Sequence, residues 1–145
     1  MPKITRPEND SGRHGAVAII LRGDRMLVIR RSQWVRAPRT ICFPGGGIQD
    51  GETEQETIVR ECREEIGVVV RPVRRLWQCV TLWGVHLGWW LGEIDAQAIP
   101  VPNLAEVESI LWVTPEEMAA MPDVLESNYH FLALLAQGEI RLTAE

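Results

Sequence analysis

Three glutamates, Glu61, Glu64 and Glu65, stand in a stretch whose apolar residues Ile58, Cys62 and Ile66 recur every four positions. That period is helical. On a helix turning about 100° per residue, Glu65 lies about 40° to one side of Glu61 and Glu64 about 60° to the other, beside the apolar stripe. Like charges at i, i+3 and i+4 cost a bare helix roughly 0.2–0.5 kcal/mol per pair, so the cluster calls for a cation. Arg60 and Arg63 can serve, and so can a divalent metal. Carboxylates with a backbone carbonyl from a nearby glycine turn are hard oxygen ligands of the kind Mg²⁺ or Mn²⁺ takes, and Mg²⁺ commonly joins a few carboxylates to substrate phosphates. The competing reading is a solvated acidic helix face, which a bare Glu-x-x-Glu-Glu favours.

These residues need a helix with well-defined ends. Thr53 is a cap, Glu56 its capping-box partner three residues on, and Gly67 a left-handed stop, which predicts a helix over Glu54 to Ile66. Ahead of it, Ala16 to Leu21 and Met26 to Ile29 read as a hairpin turned by Arg22-Gly23-Asp24-Arg25, followed by a short strand at Ile41-Cys42-Phe43. Pro44 and three glycines then mark a place where the backbone turns sharply or approaches something closely. Beyond the helix, Val68 to Val70, Leu76 to Leu82, Val85 to Ile94 and Ile110 to Val113 are predicted strands. Thr114-Pro115-Glu116-Glu117 opens a short helix, and Asp123 or Ser127 opens a last one running through Leu132 and Leu135 to Gly138. The expected class is α/β with a mixed sheet.

Composition narrows the setting. The chain has 145 residues, 46% of them hydrophobic, and a formal net charge of −5, which suits one globular domain over residues 14–145 behind a lead-in at 1–13. Cys42, Cys62 and Cys79 match neither a zinc nor a redox spacing, and no signal-like segment stands out, so a cytoplasmic home is expected. The longest mostly apolar run, Val80 to Gly92, carries His86 and is shorter than the roughly 20 residues of a membrane span. A pI near 5.3 disfavours a general nucleic-acid binder. All basic residues but Lys3 are arginine, whose planar forks suit phosphate and carboxylate.

The larger frame is more specific. From Gly46 the chain runs five residues to Glu52, then seven to Arg60-Glu61-Cys62-Arg63-Glu64-Glu65-Ile66-Gly67-Val68. This resembles the signature of the Nudix hydrolases, with Cys62 at a position usually aliphatic or alanine. Phe43-Pro44-Gly45-Gly46-Gly47 is similar to the segment leading into that box, and the resemblance extends over roughly residues 14–137. It implies an α/β/α sandwich with a central mixed sheet, and hydrolysis of a diphosphate bond in a nucleoside diphosphate linked to another moiety, with Mg²⁺ or Mn²⁺. It further implies Glu61, Glu64, Glu65 and the Gly45 carbonyl as metal ligands, with Glu52 holding Arg60 and Arg60 orienting Glu61. Glu61 and Glu64 compete as general base. Glu106 is the further metal-binding acid, and its neighbour Glu108, two residues on in a strand, points the same way.

Substrate contacts are sought among the aromatics and arginines. In strand register Trp83, Val85, Leu87, Trp89 and Leu91 form a core face, leaving Gly84, His86, Gly88, Trp90 and Gly92 opposite. The glycine face is either a flat floor where a planar group stacks on Trp90 beside His86, or room for a packed helix or partner strand. Arg31, Arg36 and Arg39 are candidates for phosphate contact. Arg31-Ser32 with Arg36 is also similar to part of the coenzyme A diphosphatase motif, but Thr40 replaces its glycine and the stretch to Phe43 is one residue short. Small nucleotides are the expected partners, with a homodimer possible and nucleic acid disfavoured. The rival readings are a non-catalytic nucleotide sensor, an RNA 5′-end hydrolase and a coenzyme A diphosphatase.

Overall fold

Continuous apolar runs at 16–20 and 26–29 leave no face for water, so both strands must be covered on two sides. A computed structural model, which describes residues 12–143, places β1 (His14–Arg22) and β2 (Arg25–Arg31) as an antiparallel hairpin about the two-residue turn Gly23-Asp24. Alternate residues of both strands feed two separate cores. Val17, Ile19, Met26 and Val28 face Met118, Phe131 and Leu132, whereas Ala16, Ala18, Ile20, Leu27 and Ile29 face Ile58, Cys62 and Ile66. The sheet is therefore the middle layer of an α/β/α sandwich, as expected.

Among the described residues the sheet has seven strands. It adds β3 (Ile41–Cys42), β4 (Gly45–Gly47), β5 (Arg71–Val80), β6 (His86–Glu93) and β7 (Val107–Val113) to the hairpin, in the order β3-β2-β1-β6-β5, with β4 on β1 and β7 on β2. The β1–β6 pair is parallel and the other ladders are antiparallel. The helices are α1 (Glu54–Ile66), α2 (Pro115–Ala119) and α3 (Glu126–Ala136). The predicted bounds of α1 hold, with a complete capping box at Thr53 and Glu56 and Gly67 left-handed at the C-cap. Thr114 and Glu117 form the same box on α2.

Four expectations need correction. Val68 to Val70 is not a strand: Val68 and Val70 are buried, but the strand begins at Arg71 and runs to Val80, its ladder with β6 shifting register between Pro72 and Arg74 and between Arg75 and Trp77. Its charged first half hid it, and Pro72 is tolerated because β5 lies at the sheet edge. Trp83 is not core; it sits in the β5–β6 connection and is 80% exposed, so the period-two reading of that face fails before His86. Neither Asp123 nor Ser127 caps α3. Leu125 occupies the N-cap without a side-chain bond, while Asp123 accepts from Arg30 at 2.6 Å. Glu106 and Glu108 do not point the same way, because Glu106 lies in the turn before β7 rather than in the strand. The lead-in expected at 1–13 falls largely outside the described residues.

The strand the sequence hid is β4. Its three glycines pair with Val17, Ala16 and Gly15 of β1, and the close approach expected of them is made to the backbone. A Cβ on Gly45 would run into the carbonyl oxygen of Ala16, and one on Gly46 into the Glu61 carboxyl. Gly47 has open space. Gly45→Ala should therefore destabilise by about 3 kcal/mol or more, and Gly47→Ala by under about 0.5 kcal/mol, in urea unfolding.

Candidate active site

The site is assembled where α1 crosses β4. Arg60, on α1, directs its guanidinium at four groups at once. Its Nε and one terminal nitrogen donate to Glu52 at 2.7 and 3.0 Å, and that nitrogen also reaches the Gly47 carbonyl at 2.8 Å. The other terminal nitrogen donates to Glu61 at 2.8 Å and to Glu64 at 3.3 Å. Charge-assisted bonds in a fork of this kind fix geometry as well as energy. Glu52 gains further bonds from the Gln49 N–H and the Thr57 hydroxyl. Arg60 first, then these two donors, hold its carboxyl down to about 2. The partnership of Glu52, Arg60 and Glu61 expected from the sequence is thus present in the geometry.

The remaining acids are crowded and poorly solvated. Glu65 is buried and accepts from the Gly45 N–H at 2.9 Å. Burial, then the Glu61 charge, with Glu106 adding, pushes its carboxyl up to about 8 against the pull of Gly45 and Arg31. Glu61 is also raised, by burial first, with Glu64 and Glu106 adding to it and Arg60 opposing. Glu106 Oε2 is buried without a hydrogen-bond partner. Glu64, by contrast, is 48% exposed and opens onto a groove of about 660 Å³ between α1 and Pro72. Among the described residues no three acidic, histidine or cysteine side chains are close enough to grip one ion as they stand. The chemistry still suits a hard divalent cation: oxygen donors only, two carboxyls raised by burial first and then by mutual repulsion, and a buried carboxylate oxygen with no hydrogen-bond partner. Glu61, Glu64, Glu65 and Glu106 are the residues that could hold it, with the Gly45 peptide meeting them through its N–H.

The expected substrate residues divide. Trp90 donates its indole N–H to Glu54 at 2.8 Å, and Arg75 holds the same carboxylate. That carboxylate lies over Gly88, and Val70 lies over Gly92. The glycine floor is thereby filled by the first residue of α1 and its following segment, so Trp90 is a packing residue of that core. His86 stacks on His14 at 4.8 Å across the parallel ladder. Arg31 is placed near the acids: it acts on Glu65, and it donates to the Arg36 carbonyl at 2.7 Å. Arg36 is exposed. Arg39 donates to Gln33 at 3.1 Å and stands 3.9 Å from Glu108.

An aromatic absent from the expected set lies in the same loop. Trp34 is 75% exposed beside a depression of about 180 Å³ that it shares with Ser32, Gln33, Arg39, Leu104 and Glu108. A lone tryptophan in a polar stretch with no apolar period was the available signal.

The shift of Glu65 has a signed consequence. Unfolded, it titrates near 4.5, and folded near 8, so the native state holds the extra proton between those values. Its contribution is complete below 4.5 and is lost as pH rises through 8. Metal-free protein should lose thermal stability across that window, and Glu65→Gln should flatten the slope and raise the melting temperature at pH 8. Added Mg²⁺ should stabilise wild type more than the variant. Identical pH slopes in both proteins would refute the assignment. Glu52 acts in a separate window, losing stability as pH falls from 4.5 towards 2.

Comparison with known proteins gives the family and the fold. Residues 12–135 match the NUDIX domain. Nudix hydrolase 3 of Caenorhabditis elegans is 35% identical over 116 residues, covering 75% of this chain and 45% of that protein. The peroxisomal coenzyme A diphosphatase ndx-8 of the same organism is 28% identical over 93% of this chain and 58% of its own length. The NAD-capped RNA hydrolase NudC of Stutzerimonas stutzeri is 28% identical over 73% of this chain and 38% of its own. The chain thus spans about half the length of these relatives. The crystal structure of the MutT protein from Methanosarcina mazei Go1 shares the fold, with a TM-score of 0.75 at 21% identity over 88% of this chain and 94% of that one. No described helix is long and apolar enough to cross a membrane. With the domain match spanning most of its length, the chain belongs to the NUDIX family.

Proposed function

We propose that this protein hydrolyses a diphosphate bond in a nucleoside diphosphate derivative, with Mg²⁺ or Mn²⁺ held by Glu61, Glu64, Glu65 and Glu106. The observation that carries the reading is the sharing of one guanidinium, that of Arg60, by Glu52, Glu61 and Glu64, with buried Glu65 and the unpartnered Oε2 of Glu106 as further acids. Divalent cations bound there supply neutralisation of the diphosphate oxygens and a water acidic enough to deprotonate near neutral pH.

The chain's own residues do the rest. Arg60 fixes one oxygen of Glu61, and Glu52 and the Gly47 carbonyl fix Arg60, so the carboxylate is presented in a single orientation. Glu61 is our choice of base, because Arg60 sets its direction and burial raises its affinity for a proton. Glu64 is the competitor, more exposed and more loosely tied. Water adds to one phosphorus, the bridging P–O bond breaks, the proton passes to the base, and the bridging oxygen departs with the other phosphoryl group. Arg31, beside Glu65, and Arg36 and Arg39, farther along the same loop, contact the phosphates. A small nucleotide is our choice over RNA, since the groove lined by Arg60 and Arg63 also carries Glu52, Glu56 and Glu64, a weak track for a polyanion.

A panel of nucleoside triphosphates, nucleotide sugars, dinucleoside polyphosphates, coenzyme A and 5′-capped RNA tests the proposal. Phosphate, pyrophosphate or mononucleotide release should require Mg²⁺ or Mn²⁺ and vanish with chelator. Glu61→Gln and Glu64→Gln should each lower kcat, with the loss of about 10²–10⁴-fold expected for a general base falling on Glu61. The acidic limb of the pH profile should disappear in that variant alone. Nucleotide binding without turnover of any compound would instead identify a sensor.

A further inference from the structure

Loop 32–40 is held in an unfavourable conformation by many ties. Ala37 and Arg39, neither of them glycine, adopt φ of 50° and 61°, a left-handed geometry that L-residues rarely take. The ties that enforce it are specific. The Arg39 N–H donates to the Arg31 carbonyl at 3.0 Å, Arg31 Nε to the Arg36 carbonyl, and the Thr40 hydroxyl to the Ala37 carbonyl at 2.7 Å. Strain maintained in this way concentrates at ligand sites.

What the loop presents is Trp34, and where it presents it is defined by Ser32. The Ser32 N–H donates to the Glu106 carbonyl at 3.0 Å and its hydroxyl to the Ala105 carbonyl at 3.0 Å. The same hydroxyl accepts from the Trp34 N–H at 3.2 Å. Trp34 is thus fastened, two residues from Ser32, to the turn that carries Glu106, whose charge acts on Glu61 and Glu65. Leu104 in that turn is also exposed, so an indole and an apolar side chain flank one depression, with Gln33, Arg39 and Glu108 offering donors and acceptors at its edge. At about 180 Å³ it is smaller than the roughly 300–1,000 Å³ of pockets that enclose a whole drug-sized ligand. It has room for one ring system. The wider groove beside Arg60 offers carboxylates and no aromatic side chain, and Trp90 is already covered by Glu54.

We infer that Trp34 is the stacking platform for the substrate's base, which lies between Trp34 and Leu104 while the attached diphosphate extends past Glu106 to the carboxylates on α1. The inference rests on the diphosphatase reading for the direction of the phosphates, but the base subsite can be measured by itself. Its ligand class is a nucleotide with a planar base, read by its face on the indole and by its edge at Gln33 and Glu108.

The test titrates AMP, CMP, UMP and ribose 5-phosphate into the full chain with Mg²⁺ and follows the Trp34 indole N–H resonance, assigned by its loss in Trp34→Phe. The nucleotides should shift that resonance and ribose 5-phosphate should leave it in place. Trp34→Ala should weaken nucleotide binding about 5- to 150-fold, equivalent to the roughly 1–3 kcal/mol of base–aromatic stacking. Trp34→Phe should stay within a few-fold, and both variants should melt like wild type because the ring is exposed. On any diphosphate the wild type cleaves, Trp34→Ala should raise KM more than it lowers kcat. Nucleotides that fail to bind, that bind without moving Trp34, or that bind Trp34→Ala as tightly as wild type overturn the inference, whatever the hydrolysis assay gives. Nucleotides that shift Trp34 in a protein that cleaves no diphosphate uphold the base subsite and sink the hydrolase reading alone.

Discussion

The guanidinium of Arg60 is the interaction on which the site depends. It joins the helix that carries the acids to the glycine strand through Gly47, and to the segment before the helix through Glu52. Without that fork, α1 would still pack through Ile58, Cys62 and Ile66, but Glu61 would lose its orientation. An arginine suits the post because its charge does not titrate away and its planar donors serve several acceptors at once. Glu52, Glu61 and Glu64 all draw on it, so one positive charge is shared among more negative charge than it can neutralise.

That imbalance sets the character of the acids beyond its reach. Glu65 and Glu106 sit deeper, with Arg31 as a remote counter-charge on Glu65, and the fold accommodates Glu65 in part by favouring its protonated form. Removing such strain by mutation would stabilise the resting protein and remove the reason for a cation to enter. On the metal-site reading proposed above, retaining it would make cation affinity a product of folding, since only the native chain brings α1, β4 and the turn before β7 together.

Most of α1 was legible because its determinants are local: a capping box at Thr53 and Glu56, a four-residue apolar rhythm and a glycine stop. The spacing from Gly46 to Val68 then placed Glu52, Arg60 and the three acids together, and the geometry of Arg60 follows it. What could not be read is non-local. Strand β4 has no side chains to advertise a strand, and only the opposing Ala16 carbonyl explains it. Trp90 and Trp34 look alike in a sequence, yet one meets Glu54 across the sheet and the other meets water. Glu106 and Glu108 were separated by where β7 begins, which its pairing with β2 determines.

The glycine strand also bears on how such a protein can diverge. At Gly45 and Gly46 the floor of the site is bare peptide, with no room for a side chain on either residue, so inheritance has no lever there for altering what binds. Loop 32–40 and the turn at 103–106 meet through backbone carbonyls at Ala105 and Glu106, which leaves their outward side chains replaceable. Substitution at the rim, at residues such as Gln33, Trp34 or Leu104, therefore costs the fold little, while a side chain added on the floor displaces backbone or the Glu61 carboxyl.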